Sequence, residues 1–230
     1  MKICTYNIWD DSTNFSKRVE LLIQELNNNE IDFLALQEVK DEHTFNHILS
    51  STNFDYGLYY EGLAVMSKQP LKKLETLTIN NSYIQRVQID DFAFTNVHLD
   101  YELMENKLKG INKALDFIED NTQDHEIILG DFNDSPDNRI HFDLCLDNFT
   151  DLHKEYCHNI NEHPLPTLDF DNNPRWRVNS TDEVPVRFDW IMLNTDSSFT
   201  ISKASIIGTK ETNNITPSDH YGVLVHVTLK

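Results

Sequence analysis

The sequence predicts an α/β (α+β) chain in which two packed sheets carry helices on their outer sides. Three observations predict it. Strand-like segments clearly outnumber helical ones. The two clearest helical periods, over residues 15–30 and 103–120, each lie between strands. The whole is too strand-rich for a single doubly wound parallel sheet, so two sheets with helices outside suit it better.

The elements follow in order. "KICTYNI" has β-forming residues and no helical period. "FSKRVELLIQELNNNE" places Val19, Leu22, Ile23 and Leu26 on one helical face, and the asparagine run stops it. "IDFLALQEV" reads as a buried strand ending in Gln37 and Glu38, and "EHTFNHILSS" as a short helix. "YGLYYEGLAVMSK" reads as two strands around Glu61-Gly62, and strand-like stretches follow at 71–79, 83–89 and 92–98. "LMENKLKGINKALDFIED" puts Leu103, Leu108, Ile111, Leu115 and Ile118 on one face of a helix. "HEIILG" is a strand and 138–147 a helix. Residues 150–185 are polar, contain prolines and have weak periodicity, which predicts a long surface excursion. "VRFDWIML", "FTISKASII" and "YGVLVHVTL" close the chain as strands.

Composition narrows the function classes. The chain has 230 residues, 39% of them hydrophobic, enough to bury a core. It shows no Pro/Gly/Ser-rich linker, low-complexity run or short-period repeat, so residues 1–230 are expected to form a single domain. The longest apolar runs are too short to span a membrane. No basic-then-apolar leader precedes the first strand, which predicts a cytoplasmic protein. The three cysteines, Cys4, Cys145 and Cys157, form neither a metal-type spacing nor a disulfide framework, as expected of free thiols in a reducing compartment. Net charge is −19, from 19 Lys+Arg against 38 Asp+Glu. That field repels polyanions at long range and argues against a broad face that grips duplex DNA.

The stretch "IILGDFND", residues 127–134, runs an apolar strand into crowded acids. Carboxylates this close repel unless a cation or water sits between them. The same arrangement recurs. The first strand ends in Asn7 and the second in Glu38; the 92–97 strand runs into His98, "EIILG" into Asp131 and Asn133, and "VRF" into Asp189. Asp219 and His220 precede the last strand. Any one of these has an ordinary explanation as a solvated strand end or a turn; six together point to one shared site. Hard divalent cations choose oxygen ligands, one or two carboxylates with waters and phosphate oxygens. Glu38, Asp131 and Asp219 could supply them, and no compact histidine or cysteine set suggests zinc. An acyl-transfer triad is disfavoured, because no serine sits in a G-x-S-x-G elbow.

With these residues in place, the chain resembles the endonuclease/exonuclease/phosphatase superfamily, the DNase I-like fold. The resemblance rests on "TYNIW", "ALQEV", "EGLAVMSK", "TNVHLD", "ILGDFND", "RFDWIML" and "PSDHYGV", in that order along nearly the whole chain. It implies a four-layer α/β sandwich of two mostly antiparallel sheets flanked by helices, and phosphoester hydrolysis with Mg²⁺ or Mn²⁺. It implies Glu38 as principal metal ligand with Asn7 beside it and Asp219 assisting. It further implies Asp131 orienting or deprotonating the attacking water, Asn133 holding phosphate or nucleophile, and His220 on the phosphate. Asp189 would fix the His220 tautomer, and His98 would meet the phosphate. Asp134 is left as a turn or cap residue.

The substrate is less determined. "TLDFDNNPRWR", 167–177, concentrates Arg175, Trp176 and Arg177 in an acidic protein, with Arg187 close behind. One reading is a surface loop with a buried tryptophan. The other is a substrate-binding rim, guanidinium on phosphate and indole on a base or apolar group. A small soluble phosphoester is favoured as substrate. The alternatives are a nuclease on short or single-stranded DNA or RNA ends and a non-catalytic binding module. No membrane partner is expected, and the chain is expected to be monomeric.

Overall fold

The computed structural model describes residues 1–177 and 183–229. Its strands fall into two six-stranded sheets. In chain order the elements are β1 (Lys2–Asn7), α1 (Phe15–Asn29), β2 (Phe33–Gln37), α2 (Glu42–Ser51), β3 (Tyr56–Tyr60) and β4 (Leu63–Ser67). There follow β5 (Lys72–Ile79), β6 (Ser82–Ile89), β7 (Phe92–His98), α3 (Met104–Asp120), β8 (His125–Asp131) and α4 (Arg139–Leu146). The chain continues with β9 (Thr150–Asp151), α5 (Leu152–Asn159), β10 (Asp189–Thr195), β11 (Phe199–Ile207) and β12 (Gly222–Leu229). One sheet runs β11-β12-β1-β2-β4-β3, the other β5-β6-β7-β8-β10-β9. Each holds one parallel pair, β1–β2 and β7–β8; the other pairings are antiparallel.

The expected layering is present. Ile3, Phe33, Val65, Phe94, Ile127 and Val225 belong to the apolar layer between the sheets. Phe33 and Phe94 stack there at 3.8 Å between ring centroids. A second layer joins the first sheet to α1 and α2 through Tyr6, Leu22, Leu26, Leu36 and Ile48. A third joins the other sheet to α3 and α4 through Val97, Ile111, Ala114, Phe132, Leu144 and Trp190. The predicted stripe of α3 is displaced: Ile111, Ala114 and Ile118 are buried with Lys107 and Gly110, while Leu103 is exposed.

Residues 150–157 and parts of 167–174 depart from the predicted surface excursion, while 158–166 are mostly exposed as expected; residues 178–182 of that segment lie outside the described residues. β9 pairs with β10, Asp151 opposite Met192. α5 buries Leu152, His153 and Cys157, and Thr167, Leu168 and Asn173 are buried too. The polar composition hides this because side chains satisfy the backbone. Asp151 accepts from Lys154 N at the start of α5, and Asp169 Oδ1 accepts from Asp171 N and Asn172 N. Among the described residues, no helix is long and apolar enough to cross a membrane.

Candidate active site

Both parallel pairs end at the same rim, and the polar residues gather there. Asn7 is the last residue of β1 and fully buried. Its Nδ2 donates to Glu38 Oε1 at 2.9 Å and to Asp131 Oδ2 at 2.8 Å. Its Oδ1 accepts from Trp9 N at 3.0 Å. One amide thus joins a carboxylate from each sheet.

Local backbone aims these groups. Glu38 follows β2 at φ 55, a left-handed conformation that turns its side chain out of the strand alternation. Gly130 has φ 141, and a Cβ there would lie 1.9 Å from Val97 O. Only glycine lets β7 and β8 approach so closely, which sets Asp131 in register with His98 and Asp189. Asp131 Oδ1 accepts from Asn133 N at 2.8 Å.

The histidines close on Asp131 from both sides. His98 Nε2 lies 3.7 Å from Glu38 Oε1 and 3.9 Å from Asp131 Oδ2. His220 Nε2 lies 3.9 Å from Asp131 Oδ2, and its Nδ1 lies 2.9 Å from Asp189 Oδ2. Burial disfavours the His220 imidazolium, but Asp189 and Asp131 outweigh it and hold its pKa well above the usual histidine range. Burial, with the Glu38 charge adding to it, pushes the Asp219 carboxyl up to about 6, although His220 opposes the shift.

Two sets of potential ligand atoms fall within 4.8 Å of one another among the described residues: Glu38, His98 and Asp131, and Asp131, Asp189 and His220. Asp219 is in neither set; its Oδ1 accepts from Ser218 Oγ at 3.2 Å. Asn7 turns donors, not its oxygen, toward the carboxylates. Asn133 Nδ2 donates to Leu99 O at 2.9 Å. Asp134 turns away and accepts from Asn138 Nδ2, a turn contact. Two carboxylates 2.9 Å or less from one amide nitrogen leave excess negative charge, and the oxygen-rich set with one imidazole fits a hard or borderline divalent cation.

Three supporting residues escaped the motif reading. Gln37 Nε2 donates to Asn96 Oδ1 at 2.7 Å, and Asn96 Nδ2 donates to Leu36 O and Ala64 O, which joins the two sheets beneath the site. Lys107 Nζ donates to Asn133 O and fixes the turn after Asp131. The signal for the first two was present: "LQEV" and "TNVH" carry amides close to Glu38 and His98. Lys107 had none, for it lies on the helix face read as apolar.

The rim residues separate. Trp176 Nε1 donates to Asp219 O at 3.0 Å. Arg175 places its guanidinium 5.0 Å from the ring centroids of both Trp9 and Trp176. Arg177 pairs with Glu211 at 2.8 Å.

The Endonuclease/Exonuclease/phosphatase family model matches residues 4–220. No curated protein sequence matches. Among solved structures, the chain is similar to D. rerio TDP2 complexed with single-strand DNA product, at 18% identity and TM-score 0.78, covering 99% of this chain and 98% of that one. A functionally unknown conserved protein from Enterococcus faecalis aligns at 21% identity and TM-score 0.75 over 100% of both chains. A Bacteroides thetaiotaomicron mannosyl-6-phosphatase aligns at 14% identity and TM-score 0.71, over 99% of each chain.

Proposed function

Because the chain belongs to the endonuclease/exonuclease/phosphatase family, whose members hydrolyse phosphoesters, we propose that it cleaves a phosphodiester or phosphomonoester by attack of an activated water. The observation that carries this reading is the Asn7 amide holding Glu38 and Asp131 together while His98 and His220 face Asp131. Asp131, with Oδ1 fixed by Asn133 N, orients the water and takes its proton. His220, kept cationic by its acidic neighbours, donates from Nε2 to a phosphoryl oxygen and stabilises charge that develops there. Asp189 holds Nδ1 and thereby the ring orientation. His98 supplies a second donor to the phosphate. Glu38, with Asp131 close by, would hold Mg²⁺ or Mn²⁺, and Asp219 would reinforce the field. The bound ion would neutralise phosphate charge and stabilise the leaving oxygen.

A small soluble phosphoester is the favoured substrate, because a net charge of −19 opposes long duplexes before any local contact forms. The second reading, a nuclease on short or single-stranded ends, is supported by half-buried indoles at the rim, Trp9 and Trp176, on which a base could stack. The resemblance to a protein solved with a single-strand DNA product supports it too. The three free cysteines support a reducing, cytoplasmic setting. A side-by-side screen of small phosphoesters, short single strands and supercoiled plasmid, at matched phosphate and low salt, separates the readings. Higher kcat/KM on a small ester supports the first. Nicking of plasmid with no small-ester turnover promotes the nuclease, and no turnover of any substrate with Mg²⁺ or Mn²⁺ overturns both.

A further inference from the structure

The loop after β1 is over-determined. Trp9 has φ 56, an uncommon conformation for a bulky side chain. The buried Arg18 of α1 holds it by donating to the carbonyls of Ile8, Trp9, Asp11 and Thr13 at 2.6–2.9 Å. Its guanidinium also lies 4.4 Å from the Trp9 ring centroid. On the other side, Asn173 is buried and donates to the carbonyls of Ser218 and Asp219, while its Oδ1 accepts from Arg175 N at 3.0 Å.

Both tryptophans are tied directly to the site. Trp9 N donates to Asn7, and Trp176 Nε1 donates to the carbonyl of Asp219, next to His220. Between them the exposed Arg175 is oriented by two indole faces. Among the described residues its guanidinium N–H groups have no hydrogen-bond or ion-pair partner, in contrast to Arg177 on Glu211. Asp11 Oδ1 accepts from Thr13 N at 2.7 Å, and the Arg18 and Arg175 charges add to that contact in lowering its pKa. Arg175 edges a cavity of about 260 Å³ lined also by Trp9, Thr13, Asn14, Asn214 and Ser218, and no carboxylate lines it. An anion-compatible pocket with a pre-oriented, unspent guanidinium is a directed feature in a chain this acidic.

Building on the phosphoesterase reading above, we propose that Arg175, clamped by Trp9 and Trp176, receives a second anionic group of the substrate. The substrate class is then a phosphoester that carries a further phosphate or carboxylate beyond the scissile group. A sugar bisphosphate and the next phosphate of a nucleic-acid end share that chemistry.

Two matched pairs test it: a hexose bisphosphate against the hexose monophosphate, and p-nitrophenyl thymidine phosphate with and without a phosphate on the other hydroxyl. Wild-type protein should prefer the second phosphate by about tenfold or more in at least one pair, mainly through KM. The pair that shows it identifies a sugar or a nucleic-acid source. Arg175→Gln should bring the ratio to within about twofold of one, and Arg175→Lys should keep part of it, since lysine retains charge but not the planar stack. A wild-type ratio near one in both pairs, or a ratio that survives Arg175→Gln, overturns the proposal. Calorimetric binding of the same compounds in EDTA separates the two levels. A binding preference abolished by Arg175→Gln, without turnover of any ester, keeps the clamp and removes the hydrolase; turnover without preference does the reverse.

Discussion

His220 Nδ1 lies 2.9 Å from Asp189 Oδ2, and its other nitrogen faces Asp131 at 3.9 Å. The imidazole is thus fixed at one end and free to act at the other. His220→Ala should lower kcat by roughly 10²-fold or more, as loss of one transition-state donor does. Asp189→Asn should be slow as well and should shift the pH profile. Asp189 raises the affinity of His220 for its proton, so without that charge the proton leaves at lower pH. The alkaline limb of the pH–rate profile should move toward acid. An unmoved limb would show that Asp189 does not control His220.

Glu38 is the carboxylate that combines partial exposure with proximity to both Asn7 and His98. Glu38→Ala should raise the metal concentration needed for half-maximal rate by about tenfold or more, in keeping with the loss of a ligand. A variant with an unchanged metal titration would remove Glu38 from the ion's coordination.

Gly130 sets the geometry from below. Gly130→Ala meets both an unfavourable φ and Val97 O at 1.9 Å. The strands must part, so stability should fall by about 3 kcal/mol or more. Chemical denaturation of the variant measures this. A loss under about 1 kcal/mol would mean that β7 and β8 tolerate separation.

A pH effect on stability is expected away from the site. His153 is buried, and its Nδ1 has no partner among the described residues. Burial, reinforced by Arg187 and opposed by Asp151, lowers its pKa from 6.5 to about 4. The unfolded chain therefore binds this proton first as pH falls. Stability contributed above pH 6.5 drains away as pH falls through 4, by up to about 3 kcal/mol. Asp219, raised to about 6, acts in the opposite sense, so the comparison must be with a variant. His153→Phe should show a flatter decline in Tm from pH 6.5 to 4 than wild type. Parallel curves would contradict the assignment.

The strand order of residue types made much of this legible. Asn7, Glu38, His98, Asp131, Asp189 and His220 all stand at strand ends or in the loop before β12, where polar residues after apolar runs give a visible signal. What brings them to one rim is the pairing of β1 with β2 and β7 with β8, which no local pattern encodes. Arg18 was hidden because a buried arginine bonded to carbonyls reads as a polar helix position. The buried parts of 150–177, at 151–157 and 167–174, were hidden for a related reason. Asp151 and Asp169 satisfy backbone groups locally, and Asn173 satisfies the distant carbonyls of Ser218 and Asp219, so these stretches are buried without an apolar period.

The most direct test is turnover of bis-p-nitrophenyl phosphate by wild-type protein and Asp131→Asn, with Mn²⁺ or Mg²⁺ and after exhaustive chelation. The substitution keeps the shape at the centre of the site and removes the carboxylate that faces both histidines. The account predicts metal-dependent turnover that EDTA abolishes and that Asp131→Asn lowers by roughly 10²-fold or more, the scale of losing a positioned base. Full activity after chelation, or near-normal turnover by Asp131→Asn, would contradict it.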